Sequence, residues 1–167
     1  MKNLLILLTA VTLFSSCGKD GATGPQGPQG NANVVAGNYD VKYSAWSIYT
    51  PSQGLPFYTV SVTDNDITSS IVSNGSVSAF ISFDNNTWYN LPYDDFQTPT
   101  FFINYRFLYS TDVVSFDIVP SDGGTLTLYN DYYFKVVAIA GSIKKKHPNT
   151  NWNNYEEVMK VMNQENK

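Results

Sequence analysis

From Val34 onward apolar and polar residues alternate with a period of two, the repeat of a strand with one buried face. Val35, Tyr39, Val41 and Tyr43 share one parity against Asn38, Asp40 and Lys42, and Tyr58, Val60 and Val62 alternate with Thr59, Ser61 and Thr63. Asp64-Asn65-Asp66 interrupts the pattern, Ile67 to Val72 reads as a short helical turn, and Asn74-Gly75 as a turn dipeptide. Val77, Ala79, Ile81 and Phe83 form the next strand, which Asp84-Asn85-Asn86 turns into a hairpin partner, Thr87 to Leu91, ended by Pro92. Phe101, Ile103, Tyr105 and Phe107 make the longest alternation, and the apolar Phe102, Leu108 and Tyr109 on its second face predict a central strand. Val114, Phe116 and Ile118 follow, up to Pro120 and the turn at 121–124. Thr125 to Tyr129 predicts a short strand and Tyr132 to Ile139 the last one, ended by Gly141.

Seven or eight short strands over about 110 residues predict an all-β fold over residues 33–143. The expected form is an antiparallel β-sandwich of Greek-key or immunoglobulin-like layout, with an eight-stranded barrel as the alternative that strand count does not separate. Beyond it, over residues 144–167, a basic connector precedes an amphipathic helix at roughly 152–164. Asn153-Asn-Tyr-Glu156 resembles a capping box, and Trp152, Tyr155, Met159 and Met162 recur at helical spacing. That stripe is expected to dock on an edge or end of the sandwich, a partner-binding surface being the alternative.

The first residues follow another pattern. Met1-Lys2-Asn3 leads into an apolar run of 11 residues, Leu4 to Phe14, closed by Ser15-Ser16-Cys17. A membrane-spanning helix takes about 20 apolar residues, so residues 1–16 read as a secretory signal. After Cys17, glycine recurs at every third position from Gly18 to Gly30, the Gly-X-Y period that collagen requires because only glycine fits at the axis of its three strands. With two prolines in this tract, residues 17–32 fit a stiff solvated spacer or a weak homotrimerising stub.

Small residues directly before a lone Cys resemble the lipobox of bacterial lipoproteins, although Phe14 stands where leucine is usual. The order of signal, lipobox, collagen-like tract and β-rich domain resembles a group of small surface lipoproteins of Gram-negative bacteria. This resemblance covers residues 1–34. It implies acylation of Cys17, anchoring in the membrane and, because Gly18 rather than Asp follows the Cys, outer-membrane placement with the domain periplasmic or surface-exposed. It implies no catalytic activity.

Composition narrows the chemistry. Charged residues make up 14% of the chain, aromatics 15%, and the formal charge is −4; losing Lys2 with the signal leaves nine basic against 14 acidic residues and −5. Phosphate binding wants a concentrated basic face, so nucleic acid is not an expected partner. One Cys and one His provide neither an internal disulfide framework nor a Cys/His zinc site, and no cofactor or metal is expected. Asp64-x-Asp66-x-Thr68 begins like a calcium loop but lacks its glycine and closing glutamate, so an Asx turn is expected there. His147, after Lys144-Lys145-Lys146, reads as part of an exposed basic loop and no triad is expected on it; the lysines fit either a solvated connector or contact with anionic headgroups.

Two functional classes remain. The first is a non-enzymatic, lipid-anchored envelope protein, a binding, adhesion or structural module with a glycan or surface protein as partner. Its candidate ligand platform is Trp46, Tyr49, Trp88 and Tyr93, which flank turns rich in Asn and Asp, core burial being the competing fate of each tryptophan. The second is a carboxylate hydrolase at the sandwich rim, for which Asp94-Asp95 and the glutamates of the C-terminal segment are the available acids.

Overall fold

The computed structural model describes residues 34–165. The expected signal at 1–16, the lipid site at Cys17 and the spacer at 17–32 lie outside them.

Among the described residues nine strands build two antiparallel sheets. The four-stranded sheet takes the order β1 (Val34–Val41), β9 (Tyr132–Ile139), β4 (Ser76–Ser82), β5 (Tyr89–Asn90). The five-stranded sheet takes the order β2 (Ser47–Tyr49), β3 (Phe57–Thr63), β8 (Val113–Pro120), β7 (Phe102–Ser110), β6 (Tyr93–Phe96). The chain crosses between sheets after β1, β3, β5 and β8, so strands distant in sequence pair side by side, β1 with β9 and β3 with β8. The result is the expected β-sandwich, and the two sheets do not close into a barrel.

The alternation in the sequence maps onto the space between the sheets. Val77, Ala79 and Ile81 on β4 and Tyr132, Phe134 and Val136 on β9 meet Tyr58 on β3, Val114, Phe116 and Ile118 on β8 and Tyr105 on β7. Phe116 lies flat on Phe134, with ring centroids 3.8 Å apart. β7 is interior, one strand in from the edge, whereas β8 is the central strand. On the second face of β7, Asn104 and Arg106 stand between Phe102 and Leu108, and Leu108 stays 55% exposed.

The four-stranded sheet is covered on both faces over the half that holds Val34 and Ile139. Its outer face carries Val34, Phe80, Val137 and Ile139, and these pack under two helices, α2 (Gly141–Lys146) and α3 (Tyr155–Glu165). The C-terminal helix thus covers a sheet face, not an edge or end. Its most buried residues are Val158 and Val161, with Tyr155, Met159 and Met162 flanking them, and Trp152 sits in the turn ahead of it. Capping shifts one residue from the expected position. The Asn154 side chain accepts from the Glu157 amide (3.0 Å), and the Glu157 carboxylate accepts from the Asn151 amide (2.7 Å).

Two further expectations are corrected. The expected strand from Thr125 to Tyr129 does not form, and at Leu126 Tyr58 takes both backbone groups: its hydroxyl donates to the Leu126 carbonyl (2.6 Å) and accepts from the Leu126 amide (2.7 Å). Lys144 to Lys146 are helical, not an irregular connector. Asn74-Gly75, expected as a turn dipeptide after a short helical turn, is the C-terminal end of a helix, α1 (Ser69–Asn74). Gly75 has φ −99°, so its backbone does not demand glycine. Space does: a side chain there would collide with the Ile139 carbonyl, and one on Gly141 with the Asn74 carbonyl. The ends of α1 and β9 are thereby pressed together.

Candidate functional site

The turn between β4 and β5 is organised by Asp84. One carboxylate oxygen accepts from the amides of Asn86 (2.9 Å) and Thr87 (2.7 Å) and from the Ser82 hydroxyl (2.9 Å), and the other from the Thr87 hydroxyl (2.9 Å). These donors, the Thr87 amide first, hold the Asp84 carboxyl well below the usual carboxylate range. Asn85 sits at φ 57°, a left-handed position that asparagine tolerates well. The turn is a knot built from its own polar groups.

A group whose pKa is depressed on folding stabilises the fold above its unfolded value, about 3.9 for Asp. The contribution of Asp84 is therefore complete above pH ~4 and is lost as pH falls further toward its depressed native value. Asp84→Asn is expected to melt below the wild-type chain at neutral pH, with the gap closing as the pH is lowered through that window. A gap independent of pH would show that the charge is not what holds the turn.

The knot aims two aromatic residues in different directions. Trp88 lies over the outer face of the four-stranded sheet, stacked on Tyr155 (5.8 Å, 10°), with the Lys135 ammonium 4.5 Å from its ring centroid. Lys135 also donates to the Tyr155 hydroxyl (2.6 Å). Tyr89 turns toward the open edge between the sheets and stacks on Tyr93 at 4.6 Å. Behind that pair, burial pushes the Tyr105 and Tyr132 hydroxyls up, which keeps both neutral.

Beside Trp88 is a shallow cleft of about 180 Å³, bordered by Asn38 and Asp40 of β1, Tyr133 of β9 and Asn85 of the turn. Asp40 and Asp131 share Lys42, whose ammonium lies 3.0 and 2.9 Å from them. These hydrogen bonds, that to Asp131 first, raise the Lys42 pKa. A cleft bordered by an indole, amides, a carboxylate and a phenol is suited to a ligand that is apolar on one side and hydroxylated around its rim.

The four residues of the expected platform are not brought together. Trp46 packs into the core against Tyr132 (5.6 Å) and Phe134 (6.2 Å), and its indole nitrogen is buried without a hydrogen-bond partner among the described residues. Tyr49, 53% exposed, lies on Phe57 at one edge of the five-stranded sheet (5.2 Å), whereas Tyr93 lies on the opposite edge strand. Trp88 alone borders the cleft. Asn38, Asp40 and Tyr133 escape a reading of the sequence because they are the ordinary polar positions of alternating strands; only the run Asp84-Asn85-Asn86 marks the place.

The acids are dispersed. Asp94 and Asp95 alternate across β6, where Asp94 accepts from Asn104 (2.7 Å) and Asp95 from Gln97 (2.6 Å). Asp64 makes the expected Asx turn to the Asp66 amide (3.0 Å). His147 is not free in a loop: its Nε2 lies 2.7 Å from Glu165, which also pairs with Lys146 at 2.9 Å. These contacts, that of His147 first, lower the Glu165 pKa. No cluster of metal-ligating side chains occurs among the described residues, and no helix there is long and apolar enough to cross a membrane. The chain matches no family model, and comparison with curated proteins and with solved structures gives no match.

Proposed function

We propose that the chain is a non-enzymatic, lipid-anchored module of the bacterial cell envelope, tethered through acyl chains on Cys17 and the Gly-X-Y spacer and presenting its β-sandwich for binding or adhesion. The polarity of β1 carries this reading. The strand begins at Val34, directly after the tether, paired with Ile139 at the end of the sheet where α2 starts. It runs toward Asp40, paired with Tyr133 beside the cleft. At about 3.3 Å per residue the cleft lies roughly 20 Å from the point of attachment. A tether entering at one end leaves the other end free to meet a ligand.

The anchor is tested by labelling growing cells that express the chain with radioactive palmitate. The wild-type chain is expected to take up label, and Cys17→Ser to take up none. An unlabelled wild-type chain, or equal labelling of both, refutes the anchor. Proteolysis of intact cells then reports whether the labelled domain is exposed outside the outer membrane.

A further inference from the structure

We infer that the cleft between the 84–88 turn and the ends of β1 and β9 binds one uncharged pyranose ring, as a terminal sugar of a glycan. The inference rests on the reading of the domain as a binding module and names its site and ligand class.

Size sets the first limit. Sites for drug-sized ligands enclose about 300–1,000 Å³, whereas this open cleft holds about 180 Å³. It accommodates one ring at a chain end and not a run of several. The aromatic wall supplies the second argument. A pyranose presents C–H groups on one face and hydroxyls around its edge, so its apolar face seats on the Trp88 indole. Tyr155 and Lys135 hold that indole in place before any ligand arrives, and the Asp84 knot fixes the turn that carries it, which lowers the ordering cost of binding.

Unused hydrogen-bonding capacity supplies the third. The side chains of Asn38, Asn85 and Tyr133 make no hydrogen bond to another described residue, and Asp40 commits one oxygen to Lys42. Each amide offers donors and an acceptor in one plane, the pattern that adjacent hydroxyls require, and the free Asp40 oxygen accepts a charge-assisted bond from a hydroxyl. Charge excludes the acidic sugars. Asp40 and Asp131 share the single cation Lys42, while Lys135 is turned onto the Trp88 and Tyr155 rings. A uronate in the cleft would meet Asp40, and the two cations nearest it, Lys42 and Lys135, are already engaged by Asp40 and Asp131 and by the Trp88 and Tyr155 rings.

The test is saturation-transfer NMR on the full chain in detergent micelles, with methyl glycosides of neutral hexoses and N-acetylhexosamines and a methyl hexuronide as probes. At least one neutral glycoside is expected to bind, with transfer strongest to the C–H protons of one ring face. Trp88→Ala, Asn38→Ala and Asp40→Asn are each expected to weaken it about tenfold or more. Asn38 and Asp40 are exposed, so their variants should melt like the wild type and separate lost binding from lost folding. Failure of every neutral glycoside to bind, a hexuronide bound more tightly than its neutral parent, or unchanged affinity in Asn38→Ala and Asp40→Asn overturns the inference. A glycan bound by the wild type and by all three variants would keep the binding module and move its site, and the palmitate label on Cys17 reports the anchor independently of each result.

Discussion

Phe116→Ala is expected to cost the domain about 3–5 kcal/mol, the range for truncating a large aromatic side chain in a close-packed core. Phe116 is fully buried on the central strand β8, stacked on Phe134 of the opposite sheet and within 6.4 Å of the Tyr39 ring centroid. Deleting it removes the contact that joins the two sheets at mid-strand and leaves a cavity whose walls are ladder-bonded strands with little freedom to collapse. Domains of this size carry about 5–15 kcal/mol in total, so the variant should be largely unfolded if the wild type lies near the lower bound and strongly shifted if near the upper. Urea denaturation followed by tyrosine fluorescence measures the difference. A change under about 1 kcal/mol would mean that the sheets do not meet at this position.

Val158→Asp should do comparable damage by another route. Val158 is fully buried between α3 and the four-stranded sheet, among Phe80, Val137 and Ile139. The change forfeits about 1.5–3 kcal/mol of apolar burial and puts a carboxylate into an apolar cluster, so it must be protonated or the helix must leave. The expected result is release of α3, read as rapid proteolytic cleavage near residue 150 and exposure of the sheet face beneath. Burial raises the pKa of the introduced acid, so the damage should ease as the pH is lowered toward its neutral form. Glu156→Gln, on the exposed side of the same helix, should change neither reading. A Val158→Asp chain that melts like the wild type would return the stripe to its alternative role as a partner-binding surface.

Much of the sandwich was legible because strand alternation is a local signal: β3, β4, β8 and β9 lie within a residue of where period two puts them. Even the third layer left a trace. Val136 to Ile139 is a run without alternation, the mark of a strand covered on both faces, and it lies where α2 and α3 pack. What stayed hidden depends on partners distant in sequence. The segment from Thr125 to Tyr129 has strand-forming residues, yet it joins no ladder, and the Tyr58 hydroxyl, 68 positions from Leu126, takes both backbone groups of that residue. The second face of β7 carries Phe102 and Leu108, but nothing in its own sequence says whether a layer lies above them. The site was harder still. Trp46 and Trp88 look alike as aromatic residues beside turns, and only the packing sends one into the core and the other to the rim of a cleft. Asn38 and Asp40 become neighbours of Asn85 because β1 and β4 flank β9 on either side, an adjacency no local pattern encodes.

The pairing of β1 has a mechanical meaning for a tethered protein. β1 is an edge strand joined to the domain through an antiparallel ladder with β9 that runs without interruption from Val34 to Val41. With an anchor pulling ahead of Val34 and a ligand held at the Asp40 end, tension runs along the strand, and the hydrogen bonds of the ladder are strained together in shear instead of being unzipped one after another. Asn38 and Asp40 belong to that same strand, so in the proposed arrangement part of the pull would pass from tether to ligand without crossing the core. An edge strand that looks like the weakest element of the sheet is, for a load in this direction, among its most resistant.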